Sequence, residues 1–313
     1  MNSKKKISDK IEQIMIDNPQ TNYSLEWLNV CAAGAKELDY LRKRFHFNFD
    51  HLKASMATVF SQRPMVMQED DYLFLVLHFP TLFGQQIIAG EVEFFIGHGF
   101  LVSVHNNNLP ALTDMFALGK KDATGFMAYL DGSSAILLYE ILDRLMKSCY
   151  PLIDHNSAAI SKVDEVIFAG RQKEAVADLL TLRRNIINVK KIMQNHKNIL
   201  QHLVDLRSSI VSQEQIKESY NQLVEHSKRI WEMLDNQDDL LDALAKTNES
   251  LISYRTNNIM KTLTVVTIGL YIFSFTINLI HNGGTGRDLW LIGVLVVAIG
   301  VALLAVFRRK RWL

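Results

Sequence analysis

Cysteine is nearly missing from this chain. Only Cys31 and Cys149 occur in 313 residues, and neither sits in a Cys-x-x-Cys or Cys/His cluster. That excludes a disulfide framework or a zinc finger as the organising device, and two reduced cytosolic thiols fit the pattern. Proline is scarce, at five residues, and both proline and glycine are absent between Gln213 and Ile268, so nothing there interrupts a helix. No Gly-rich phosphate loop, Ser/His/Asp set or HExxH motif is present, which argues against an enzyme. The opening stretch MNSKKKISDKIEQIM carries charges but lacks the apolar core of a signal peptide. An excess of one charge is also lacking: 34 Lys and Arg against 33 Asp and Glu leave a net charge of +1, without the signature of a nucleic-acid binder.

What the chain does have is two long uncharged runs near its end. Thr262 to Ile280 and Leu289 to Phe307 are 19 residues each, long enough to cross a bilayer as helices. The eight residues between them, HNGGTGRD, allow only a tight loop. Arg255 and Lys261 flank the first run and FRRKRWL follows the second. The positive-inside rule therefore places both termini in the cytoplasm and the loop outside, in a multi-pass protein of the cell (inner or plasma) membrane.

The first run is not uniformly apolar. Asn257, Met260, Thr264, Thr267, Tyr271, Ser274, Asn278 and His281 recur about every 3.5 residues, which puts them on one stripe of one helix, and all but Met260 are polar. Two readings fit: helix–helix packing through small hydroxyl residues, or a polar path for ions. Two helices cannot enclose a wide path, so the second reading needs several subunits around one axis. Projected backward, the stripe runs through Ser253, Ser250, Lys246, Ala243, Asp239, Asn236, Glu232, Arg229 and Glu225, staying polar and never turning into an apolar seam. A leucine-rich seam (Ile216, Tyr220, Leu223, Ile230, Leu234, Leu241, Leu244 and Leu251) runs beside it. One helix of roughly 70 residues, or ~100 Å, is expected to leave the cytoplasm and become the first span.

Upstream, residues 1–24 read as a polar lead-in. Leu25–Val30 is short and apolar, KELDYLRKRFHF has helical periodicity, and Asn48 or Asp50 can cap a helix at about 51–60. Tyr72–Phe79, Gln86–Gly97 and Phe100–His105 read as strands, and Pro110 can start a helix at 109–118. From Ser134 on, only helices are expected: one over 134–168, kinked by Pro151, and one over 171–206 with Leu182, Ile186, Val189, Met193, Leu200 and Leu203 on one seam and His196 in its gap. The fold class is thus an α+β cytoplasmic domain, a mixed sheet with flanking helices, over 1–135. A helical stalk follows over 136–256, then a two-helix transmembrane hairpin over 257–313 with a pore helix at about 262–280, a loop at 281–288 and a second helix at 289–307.

Several pieces, in order, resemble the CorA metal-ion transporter family. They are Gln62-Arg63-Pro64, Asp70 to Phe74, Val92 to Gly97, Phe100 to His105, the run Asn257-Asn258-Ile259-Met260-Lys261-Thr262-Leu263-Thr264 at the start of the span, and the terminal Phe307 to Leu313. The resemblance implies a funnel-shaped homopentamer in a lipid bilayer, with a pore lined by the first membrane helix. Its members carry Mg2+, Co2+ or Ni2+, and a zinc-transporting branch, ZntB, shares the architecture. The family's Gly-Met-Asn signature is absent. His281-Asn282-Gly283 stand in its place, and Ile272 replaces a proline that members often carry midway along the pore helix.

The expected pore lining is Asn257, Met260, Leu263, Thr264, Thr267, Tyr271, Ser274 and Asn278, with His281, Asn282, Gly283 and Gly284 at the mouth. Neutral oxygens suit Mg2+, which keeps its waters, while Met260 and Leu263 form an apolar constriction. Lys261, Arg308, Arg309, Lys310 and Arg311 form a basic gating ring or, equally, anchor to lipid headgroups. Glu225, Glu232 and Asp239 are candidate regulatory metal ligands. No cofactor is expected beyond the transported Mg2+, Zn2+, Co2+ or Ni2+. Besides this channel, proton-coupled Zn2+ transport and a non-conducting membrane scaffold or sensor remain open.

Overall fold

The computed structural model describes residues 5–6, 8–18, 23–56, 63–84, 86–121, 133–206 and 214–281, and scattered positions from 290 to 301. The chain divides into two compact units, Met1–Ala243 and Leu244–Leu313.

The first unit is built on a seven-stranded mixed sheet. Its strands are β1 (Lys5–Lys6), β2 (Ile11–Asn18), β3 (Tyr23–Cys31), β4 (Met65–Gln68), β5 (Tyr72–Phe83), β6 (Gln86–Gly97) and β7 (Phe100–His105), in the order β1-β2-β3-β7-β6-β5-β4. Every pairing is antiparallel except β3 with β7. A parallel pair needs a crossover, and the chain between β3 and β7 supplies it. The edges are short, two residues at β1 and four at β4, which limits open-edge pairing.

Both faces of the sheet are covered, so β5 reads as nearly continuous apolar residues instead of an alternation. On one face α1 (Ala35–Phe45) and α2 (Phe49–Ala54) pack Leu38, Leu41, Phe47 and Leu52 against Tyr72, Phe74, Val76 and Phe95. Phe47 stacks on Phe95 at a centroid distance of 4.3 Å. On the other face lies α3 (Pro110–Lys121), whose Phe116 meets Trp27 edge-on at 4.9 Å. The parallel seam is stitched by a buried polar chain. Trp27 Nε1 donates to Ser103 Oγ (3.2 Å), Ser103 Oγ donates to Asn29 Oδ1 (2.9 Å), and His105 Nε2 lies 3.0 Å from the same oxygen.

Among the described residues four helices follow: α4 (Ser134–Lys147), α5 (Tyr150–Phe168), α6 (Gln172–Met193) and α7 (His196–Asp205). The last element, α8, is one helix from Glu214 to His281, 68 residues long, and contributes to both units. Its N-terminal part packs on the other helices. Tyr220 donates from its hydroxyl to Ala135 O (2.8 Å), Gln237 Nε2 donates to Ile153 O and Ser157 Oγ (both 2.7 Å), and Lys190 Nζ sits 2.7 Å from Asp235 and 3.1 Å from Asp238. Cys149 is buried, and burial pushes its thiol up to about 12, so it is an inert packing residue.

The expected mixed sheet with flanking helices and the long C-terminal helix are present. Three expectations need correction. The polar lead-in at 1–24 contains β1, β2 and the start of β3. The helix over 134–168 is two helices: Ser148 caps the first, and Pro151 stands in the first turn of the second, where its missing N–H costs nothing, so it starts a helix and kinks none. The helix over 171–206 is also broken, at Gln194–Asn195. The short strand β4 was not expected, and α2 runs from Phe49 to Ala54, while residues 57–60 of the expected helix lie outside the described residues.

Candidate functional site

Along α8 the buried seam and the polar stripe separate cleanly. In the first unit Ile216, Tyr220, Leu223, Ile230, Leu234 and Leu241 are buried, and buried Ser227 and Gln237 fill the missing steps of the same 3.5-residue repeat. Glu225, Arg229, Glu232, Asn236 and Asp239 on the adjacent face are all exposed. Glu225, Glu232 and Asp239 are successive heptad positions, about 10 Å apart on one helix. One chain cannot bring them around a single ion, and no metal-holding cluster occurs among the described residues.

In the second unit Asn257, Met260, Leu263, Thr264, Thr267, Tyr271, Ser274 and Asn278 are exposed. Between Asn257 and Asn278 the half-covered residues are Asn258, Lys261, Val265, Ile268, Ile272 and Thr276, which fall on a different face roughly 100° around the helix. The polar stripe is therefore not the surface the chain covers for itself. The remaining exposed surface is apolar, with Ile259 67%, Leu270 63% and Phe273 64% exposed. Within Ile216–Asn278 this is the one helix among the described residues long and apolar enough to cross a membrane.

The two threonine hydroxyls of the stripe have a fixed polarity. Thr264 Oγ1 donates to Met260 O and Thr267 Oγ1 donates to Leu263 O, each at 2.8 Å. A hydroxyl has one proton and two lone pairs. With the proton held by the backbone carbonyl four residues back, each threonine presents acceptor oxygen outward. That is the charge sense a hydrated cation requires. The signal for this was already present in the i, i−4 reach of threonine on a helix, but the residue pattern alone does not say which rotamer is taken.

His281 is the last residue of α8. Asn282, Gly283, Gly284, Arg308, Arg309, Lys310 and Arg311 lie outside the described residues, as does most of the second apolar run. The described positions between 290 and 301 are helical.

The family model described as CorA-like Mg2+ transporter protein matches residues 22–272. The protein named cobalt/magnesium transport protein CorA of Methanocaldococcus jannaschii is 22% identical over 98% of this chain and 96% of its own length. The complete structure of the CorA magnesium transporter from the same organism superposes with a TM-score of 0.78 at 19% identity, covering 100% of this chain and 98% of that one. The ZntB cytoplasmic domain of Vibrio parahaemolyticus superposes with a TM-score of 0.60 at 14% identity, covering 74% of this chain and 88% of that one. The family match spans four-fifths of the chain, from the start of β3 to Ile272 within the polar stripe, and on that extent this chain belongs to the CorA-like family of metal-ion transporters.

Proposed function

We propose that this chain conducts divalent cations, Mg2+ foremost with Co2+ and Ni2+ behind, down their electrochemical gradient through a pore lined by α8. The observation that carries the reading is the exposed stripe whose threonine protons are turned into the helix, leaving oxygen acceptors outward. Rings of Asn257, Thr264, Thr267, Ser274 and Asn278, one residue from each subunit, would touch the water shell of the ion. Mg2+ sheds that shell reluctantly, so weak and repeated outer contacts suit it better than a cage. The named function of the Methanocaldococcus jannaschii relative is in keeping with this.

In this reading the assembly is a homopentamer in the cell membrane, multi-pass, with both termini in the cytoplasm. Met260 and Leu263 form the apolar constriction that closes by dewetting. Lys261 and the cluster Arg308 to Arg311 set the charge at the cytoplasmic mouth. Glu225, Glu232 and Asp239 act, if at all, with the same residues of neighbouring chains. No chemical step is needed, because a divalent ion gains about 4–5 kcal/mol in crossing 100 mV.

A second reading, proton-coupled Zn2+ transport, is favoured by one observation. The stripe ends on His281, the last residue of the helix, and imidazole is a better partner for Zn2+ than for Mg2+. Ion-by-ion uptake into proteoliposomes decides between them. Mg2+ uptake that follows the membrane potential supports the first reading. Zn2+ uptake that follows an imposed pH gradient replaces it with the second. A chain that carries no ion under either gradient is a scaffold or sensor, and both readings fall.

A further inference from the structure

Away from the stripe, the first unit holds a cavity of about 660 Å3 beside the β5–β6 ribbon, bounded by the end of α6 and the segment before β4. Its size lies within the range of small-molecule sites, roughly 300–1,000 Å3. Two cations line it: Arg63, just ahead of β4, and Lys191, in the last turn of α6. Both are exposed, and among the described residues neither forms an ion pair, whereas several cations elsewhere in this unit do. Arg44 pairs with Glu26, Lys120 with Glu12, Lys147 with Asp143, and Lys190 with Asp235 and Asp238.

No carboxylate is among the described lining residues. His78 also lines the cavity, and its Nε2 is held 2.7 Å from Glu91, so that carboxylate already has a partner. Gln194 and Asn195, at the joint between α6 and α7, add neutral amide donors; Asn195 makes no capping bond to α7. Ile88 and Ile192 add half-buried apolar surface to the lining. Two unpaired cations, amide donors and an apolar wall match a molecule with an anionic end and an organic body.

We propose that this cavity binds a phosphate ester, with Arg63 and Lys191 on the phosphate oxygens and Ile88 and Ile192 against the organic part. Charge-assisted contacts of this kind are the strong ones, and arginine meets phosphate through two parallel N–H donors. The ester could be a soluble metabolite or a lipid headgroup; the recognition chemistry is the same.

The test is calorimetric titration of the full-length chain in detergent, with ADP as the soluble probe and dihexanoyl phosphatidic acid as the lipid probe. EDTA is present throughout, so that no divalent ion reaches the stripe and the result is independent of the transport reading. We expect one saturable site per chain. Loss of one charged contact should weaken it about ten- to a hundred-fold in Lys191→Glu and in Arg63→Glu, with melting temperature and elution volume unchanged. Charge-dependent binding of ADP alone assigns the cavity to a soluble ester, and of phosphatidic acid alone to a headgroup. Absence of saturation with both probes at 5 mM (about the weakest affinity such contacts would leave), or binding that is unchanged by both charge reversals, overturns the proposal.

Discussion

His105 should make the first unit acid-sensitive by an amount that can be worked out. It ends β7, paired in register with Cys31 of β3 and Val92 of β6, and is 2% exposed. Its Nδ1 faces the backbone N–H of Asn107 at 3.1 Å and therefore accepts, so the ring proton sits on Nε2 and is donated to Asn29 Oδ1. Protonation would set a second ring N–H against the Asn107 N–H. Burial alone lowers its pKa to about 4 from an ordinary 6.5. The sign follows. Above pH 7.5 both folded and unfolded chains hold a neutral ring and nothing is lost. As pH falls through 6.5 the unfolded chain takes a proton that the folded chain refuses. Stability is therefore lost between pH 6.5 and 4, by about 2 kcal/mol at pH 5 and about 3 at the limit. The assay is urea unfolding followed by fluorescence of Trp27, whose indole belongs to the same network, with Trp231, Trp290 and Trp312 changed to phenylalanine. His105→Gln keeps a donor toward Asn29 but cannot titrate. The gap in unfolding free energy between pH 7.5 and 5 should shrink by about 2 kcal/mol. His196 is also lowered to about 4, chiefly by burial, so part of the gap should survive. An undiminished gap in His105→Gln refutes the reasoning.

Three other outcomes are expected. Small aqueous thiol reagents should label Thr267→Cys and Ser274→Cys in membranes and leave Val265→Cys and Phe273→Cys unreacted; the opposite pattern removes the stripe from the water path. Tyr220→Phe deletes the hydroxyl that reaches Ala135 O at 2.8 Å and should cost about 1 kcal/mol in denaturant unfolding, and no measurable change would mean that this contact is not formed in solution. His281→Ala should lower Zn2+ uptake more than Mg2+ uptake, and equal losses would leave the imidazole without a part in ion choice.

Much of this architecture was legible in the residues, and the misses have physical causes. Gln86–Gly97 and Phe100–His105 read as strands because glycine and asparagine bound them and β-branched and aromatic residues fill them. The strand Ile11–Asn18 did not, because both of its faces are used. Ile14 and Ile16 pack toward Trp27 and Leu25, while Ile11 joins the opposite core beside a buried Gln13, so no period-2 alternation survives. The break at Gln194–Asn195 is silent for the opposite reason. The seam from Leu182 to Met193 and on to Leu200 and Leu203 keeps its spacing across the joint, and neither proline nor glycine marks it. On α8 the seam was visible as leucines, but Ser227 and Gln237, buried at 3% and 4%, complete it against expectation for polar residues. The stripe itself was plain from spacing, whereas the direction of its hydroxyls came only with coordinates.

That direction permits a sharp comparison, because threonines of α8 both on and off the stripe make the same inward bond. Thr264 and Thr267 lie on the stripe; Thr262, bonded to Asn258 O at 3.0 Å, and Thr276, bonded to Ile272 O at 2.8 Å, lie off it. Threonine to valine keeps the shape and removes the oxygen. Since each hydroxyl proton goes to the preceding, amino-side turn of its own helix backbone, its loss should change helix stability by only a few tenths of a kcal/mol, and equally at all four positions. What differs is the outward lone pair. If the stripe carries hydrated cations, Thr264→Val with Thr267→Val lowers divalent flux several-fold, since each ring loses a contact worth about 0.5–1.5 kcal/mol to the ion's water shell. Thr262→Val with Thr276→Val leaves flux unchanged, and both pairs of variants elute as the parent assembly does. Equal flux in the two pairs would mean that the stripe packs helices together and the ion path lies elsewhere.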